Sequence, residues 1–422
     1  MDCSRSIPFS VGLMIAGTLL LVAAGVRADE GDLCLECHLQ TSERDLRLPA
    51  EQVPASAHRH AAIGCVGCHG GDAGEPTARA HDPAAGYVGK PTAEQIEALC
   101  GGCHADANRV KQLGGELRTD QLTLYRASRH GELAAAGDEA APTCISCHGH
   151  HDTLASTDVR SRAHPARVAE QCGSCHADPE VMAGFRTPTE QQAQWRRSAH
   201  GLAFREQKPD APTCTGCHGA HRETPADVES AAAGCPTCHE DQLKQYQQSP
   251  HAEPFEQQGL EQCVPCHGTH DVPRAPPLPI AFGPDGSCAA CHAKDESVQT
   301  SIDELVRAVG DASTRAAAAR ARLSWARQQQ LGLPDAAAAS GALEQAEGQL
   351  RLALHSLDHA ALEAPLAEVV RAAERVEQIV SRAEGRRRLL HTAVPVGIGL
   401  ALVVLLVLGL RRSARRARRR RA

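Results

Sequence analysis

Eighteen of the chain's 19 cysteines fall in nine Cys-x-x-Cys-His pentapeptides, and no other feature constrains the fold as tightly. The motifs hold Cys34, Cys37 and His38; Cys65, Cys68 and His69; Cys100, Cys103 and His104; Cys144, Cys147 and His148; Cys172, Cys175 and His176; Cys214, Cys217 and His218; Cys235, Cys238 and His239; Cys263, Cys266 and His267; and Cys288, Cys291 and His292. A disulfide framework suits an exported chain but does not require a histidine after every second cysteine. Zinc knuckles work in pairs, and nine is odd. A thioredoxin-like site needs a βαβ setting that this sequence lacks. The pattern is that of c-type haem attachment, in which two thiols bond to the porphyrin edge and the adjacent histidine reaches the iron. Nine covalently attached haems c are expected.

That density decides what the core is made of. A motif recurs about every 29 residues between Cys34 and His292, and the whole chain has only five Phe, two Trp and three Tyr. So little aromatic volume cannot fill a conventional core of this length. The porphyrins are expected to be the core, within a mainly α and irregular fold.

The sixth ligand follows from counting. Apart from Met1 and Met14, Met182 is the only methionine, so Met/His ligation is possible at most once. Residues 29–295 hold eleven histidines outside the motifs: His58, His60, His81, His130, His150, His151, His164, His200, His221, His251 and His270. This is enough to cap every iron with a second imidazole. The extra histidines also repeat. His130, His200 and His251 follow Tyr125, Trp195 and Tyr246 by five residues, and Ser128, Ser198 and Ser249 by two. His58 keeps Ser56 without the aromatic. Thr189 with Gln192 reads as a capping box before His200, and Gly201 as a helix stop.

Three motifs continue into His-Gly-x-His, ending at His151, His221 and His270. Three residues span at most ~10 Å, too little to wrap from one porphyrin face to the other. These second histidines are therefore expected on neighbouring haems. Four two-haem repeats result, at about 56–106, 125–178, 195–241 and 246–295. His81 stands in for the missing second histidine of the first repeat, and His164 is favoured over His60 for the extra haem at Cys34 and Cys37. The expected distal set is His58, His81, His130, His151, His164, His200, His221, His251 and His270.

This arrangement resembles the bacterial multihaem c-type cytochromes with doubled motifs, a broad group that includes the NapC/NirT-type cytochromes and the multihaem relays linked to hydroxylamine oxidoreductase. The resemblance covers residues 34–295. It implies periplasmic electron transfer, often between the quinone pool and a terminal reductase or an extracellular acceptor.

The flanks read as membrane targeting. Residues 1–28 form a signal peptide, with an apolar run ending at Val26-Arg27-Ala28. Residues 392–410 are long and apolar enough to span a bilayer. The Arg-rich tail 411–422 carries eight arginines and should stay in the cytoplasm, leaving the haem domain on the periplasmic side of the inner membrane. A net charge of −7 despite that tail argues against a nucleic-acid partner.

Between these segments, residues 296–388 are rich in helix formers and read as an antiparallel three-helix bundle broken at Gly332-Leu333-Pro334 and Ala364-Pro365. His355 and His359 read as one solvated helical face, with haem ligation or quinol binding as the alternative.

A single-pass electron relay is expected, linked to a quinone-dependent membrane partner and a periplasmic redox partner. The competing expectation is a multihaem reductase of nitrite, hydroxylamine or tetrathionate type. That chemistry needs an open iron, for which no motif offers a sign.

Overall fold

Cysteines at i and i+3 and a histidine at i+4 share one face of a helical turn, so each motif is compatible with a short helix. In the computed structural model, which describes residues 33–44, 46–48, 52–222, 230–274, 287–292 and 294–419, seven of the nine motifs take two forms. Four stand as isolated turns, Val66–His69, Cys144–His148, Cys214–His218 and Val264–His267. Each ends on a glycine at positive φ: Gly70, Gly149, Gly219 and Gly268. A left-handed residue there reverses the chain at once, which explains the Gly of His-Gly-x-His. Three others end longer helices, Ala93–His104, Val168–His176 and Ser287–His292. The expected signal peptide lies outside the described residues. Among those residues the fold is helical and irregular, without strands.

The Ser-x-His repeat is a helix–serine–helix turn. Gln191–Arg197 stops at Ser198, and Ala199–Arg205 begins immediately after it. The Ser198 hydroxyl donates to the Trp195 carbonyl at 2.7 Å and accepts from the Gly201 N–H at 3.2 Å. Ser128 does the same, with 2.6 Å to Tyr125 and 3.1 Å from Gly131. The serines are 1% and 2% exposed, so these bonds satisfy hydroxyls that water cannot reach.

Two expectations are corrected here. Gly201 lies inside the second helix and stops nothing. It is glycine because a Cβ there would sit 2.0 Å from the Trp195 carbonyl oxygen, as one at Gly131 would sit 2.1 Å from that of Tyr125. Thr189 and Gln192 form no capping box: Glu190 is the N-cap, and the Gln192 amide donates to the Ala169 carbonyl at 2.5 Å. The repeat aromatics tie each turn to the next motif. The Tyr125 hydroxyl donates to the Pro142 carbonyl at 2.9 Å and the Trp195 indole to that of Pro212 at 3.2 Å. Both prolines belong to the identical Ala-Pro-Thr that introduces a motif.

Packing divides the chain into two units, one reaching to Gly234 and including His270–Val272, the other comprising Cys235–Thr269 and the chain from Pro273. The last three motifs thus belong to the unit that contains the helical bundle.

The bundle has helices Glu296–Gln328, Ala336–Ala353 and His359–Arg419. Leu305, Val309, Ala312, Ala316, Ala319, Leu323 and Ala326 line the first, at alternating spacings of four and three. This is a heptad seam, and its alanines let neighbouring helices approach closely. The second break is displaced from its expected place. Pro365 lies within the third helix, and the chain turns instead at Leu354–Ser356 and Leu357, at φ 52°. The Asp358 carboxylate then accepts from the Ala360 N–H at 3.0 Å and caps the third helix. That helix continues through the exposed apolar run to the arginine tail, and is the one described helix long and apolar enough to cross a membrane.

Candidate haem-ligand pairs

Eight motif histidines have a second imidazole set opposite them. In the first unit these pairs are His38–His81, His58–His104, His69–His151, His130–His176, His148–His221 and His218–His270. In the second they are His251–His292 and His267–His355. Ring centroids lie 5.9–6.1 Å apart in every pair, while the interplanar angle ranges from 13° to 77°. His200 lies in the first unit and His239 in the second, and each makes contacts of its own.

A constant distance with a free angle is unlike ordinary ring packing. Elsewhere His150–His151 and His81–Tyr87 sit at 4.8 Å, Trp195–Phe204 at 5.4 Å and Tyr246–Phe255 at 6.3 Å. A metal held axially between two imidazoles predicts about 6.3 Å, from metal–nitrogen bonds of about 2.05 Å and rings built of ~1.33 Å bonds. Rotation about that axis costs the axial bonds nothing, so the angle is free. Among the described residues, no three or more His, Cys, Asp or Glu side chains gather to hold a metal ion. An ion between two such histidines must find its remaining ligands outside the protein, and a porphyrin ring supplies four. The donor set therefore fits haem.

Hydrogen bonds aim several rings. Nδ1 of His38 meets the Leu46 carbonyl at 2.8 Å, that of His69 the Val88 carbonyl at 3.0 Å, and that of His355 the Arg351 carbonyl at 3.0 Å. Donation through Nδ1 leaves Nε2 free as the ligating atom. Burial lowers the pKa of His58, His148, His151, His176, His221, His251, His267 and His270, favouring the neutral imidazole that ligation needs.

The pairs follow one rule. Ser-x-His histidines His58, His130 and His251 face the second motif of their own repeat. His81, His151, His221 and His270 each face a motif histidine that precedes their own repeat, and His355, from the bundle, faces His267. The distal expectation departs from the structure at two places. His164 accepts the Ala166 N–H on Nδ1 at 3.1 Å and opposes no motif histidine, so His81 stands opposite His38 instead. His355 and His359 share no helical face, because His355 lies in the turn between helices. His359 is engaged through Nε2 with the Ser301 carbonyl at 3.1 Å.

The thiols of consecutive motifs also adjoin. Cys100 is hydrogen-bonded to Cys144, Cys172 to Cys214 and Cys235 to Cys263. Sharing one hydrogen bond lowers Cys144, Cys214 and Cys235 to about 7 and raises their partners. Burial, and then the neighbours Cys103, Cys175 and Cys291, raise Cys68, Cys147 and Cys266. The pairs Cys100–Cys144, Cys172–Cys214 and Cys235–Cys263 each place two consecutive motifs side by side.

No family model, curated protein or solved structure matches the chain.

Proposed function

We propose that the chain is a single-pass, membrane-anchored cytochrome with nine covalent haems c, relaying electrons between the quinone pool, through a membrane partner, and a periplasmic or extracellular acceptor. The observation that carries this reading is the set of eight imidazole pairs at 5.9–6.1 Å, each containing one motif histidine. Haems held by the motif cysteines and the paired histidines would supply one-electron transfer. The motif cysteines would tether each ring, and the Nδ1 hydrogen bonds of His38, His69 and His355 would keep those imidazoles in the ligating orientation. Adjoining thiols in consecutive motifs keep successive attachment points close, as stepwise transfer requires.

The third bundle helix supports an indirect link to the bilayer. From His359 to Thr392 it rises about 50 Å at ~1.5 Å per residue. The turn bearing His355 therefore stands well away from the apolar segment, and a membrane-associated protein, rather than quinol dissolved in the bilayer, is the fitting donor to that end.

Spectroscopy tests the relay. All irons should be low-spin, and the reduced protein should bind almost no carbon monoxide. One full equivalent of a high-spin haem that binds carbon monoxide or nitrite would defeat the relay and favour a reductase. Protease treatment of intact spheroplasts should remove the haem domain and spare the Arg-rich tail; protection of the haem stain would overturn the orientation.

A further inference from the structure

We infer that His355, in the turn between the second and third bundle helices, is the distal ligand of the haem attached at Cys263 and Cys266, so that the bundle completes the last repeat. The inference rests on the haem reading above and extends it to a residue outside the motif-bearing sequence. Its ring lies 6.0 Å from that of His267, with an interplanar angle of 26°. His148–His221 and His218–His270 have nearly the same separation, 6.1 and 5.9 Å.

In those two pairs the following repeat supplies the distal histidine through His-Gly-x-His. No motif follows Cys288, so the repeat at Cys263 has no successor to supply one. The chain solves this with a different element. Leu354–Ser356 forms a single tight turn, closed by Leu357 in the left-handed region at φ 52°. The buried Ser356 hydroxyl donates to the Ala353 carbonyl at 2.8 Å and accepts from the Asp358 N–H at 3.4 Å. With the His355 Nδ1 held by the Arg351 carbonyl, Nε2 is the remaining ring nitrogen. The helix Glu240–Tyr246 packs on this same turn and on Ala336–Ala353, so the turn is braced from the motif side.

His359, four residues on, is the internal control. Its Nε2 is engaged with the Ser301 carbonyl at 3.1 Å and is unavailable as a ligand. The two histidines therefore make opposite predictions.

The test uses the full-length holoprotein and reads haem content, spin state and carbon monoxide binding. His355→Ala should retain nine covalent haems, convert one of the nine from low to high spin, and gain about one equivalent of carbon monoxide binding on reduction. The double variant His355→Ala/His359→Ala should give the same result, excluding replacement by the neighbour. His359→Ala alone should match the parent. His355→Met keeps a ligating side chain, so the fold is retained; one haem should stay six-coordinate with its potential shifted upward. Nine attached haems with the double variant still fully low-spin, and no shift in His355→Met, would overturn the assignment and leave the multihaem reading intact. A parent protein without covalent haem would instead remove the reading on which the assignment rests.

Discussion

The motif-bearing stretch and the helical bundle are both helical, yet they are stabilised in different ways. In the bundle, eighteen buried apolar residues form one continuous seam, including Val309, Leu343, Leu362, Val369 and Val380, all at or below 1% exposure. In the longer motif-bearing stretch, the buried apolar side chains among the described residues are only Ile96, Val110, Ala141, Val168, Ala169 and Met182. What is buried there instead is polar: Ser56, Ser128, Ser161, Ser198, Thr213 and Ser249. Burial of apolar surface, at ~25 cal/mol per Å², accounts for the bundle. It does not account for the rest, where on the proposed reading haems fill the space between the histidine pairs. On the proposed reading, the same chain contains one region held by side-chain packing and one held by its haems.

The largest expected effect breaks that comparison outright. Protein made in cells unable to attach haem should lose protease resistance and amide protection throughout residues 33–292, while residues 296–388 keep both. Hydrogen exchange resolved by segment reads the outcome. Equal protection of the two regions without haem would show that the motif-bearing stretch has a core of its own.

The converse perturbation strikes the bundle alone. Leu343 is 1% exposed, and Leu343→Ala should cost about 2–5 kcal/mol of bundle stability. Its melting temperature should fall, with the absorption spectrum of the haems unchanged except at the one site linked to His355.

A smaller, local effect is expected at Gly131. An added Cβ meets the Tyr125 carbonyl oxygen at 2.1 Å, a backbone atom that cannot rotate away. Gly131→Ala should displace His130 from His176, weakening low-spin character at one haem and leaving the others alone. Low-temperature electron paramagnetic resonance reads this. The smallest effect is the cap itself: Ser198→Ala removes both hydroxyl bonds and should cost about 1 kcal/mol, measured as a shift in denaturation midpoint.

How legible this was depended on the range of each interaction. The motifs are local, and so is the two-residue step from serine to histidine; both could be read by spacing. So could the bundle, whose composition favours helix whatever it packs against. Distal partners are long-range. Nothing near His81 distinguishes it from His164 as the residue opposite His38, because the choice is made by long-range backbone bonds, Asp72 N–H to the Ala80 carbonyl and Leu33 N–H to the Ala73 carbonyl, both at 3.2 Å. His355 looked like a surface histidine because its role depends on a turn whose left-handed residue is Leu357, not a glycine that would advertise it. Gly201 was legible as important but for the wrong reason: the sequence shows a glycine after a helix, whereas the constraint is close approach to the Trp195 carbonyl. Pro365 illustrates the reverse, a strong breaker overridden by packing of Leu362 and Val369 on either side.

The central claim is that haem replaces side chains as the core of residues 33–292. It is tested most directly by weighing the intact purified protein and quantifying its haem as the pyridine haemochrome. The account predicts nine covalently attached haems per chain, one for each complete motif. Fewer than eight would contradict it, since the paired imidazoles would then oppose one another across sites with nothing to bind.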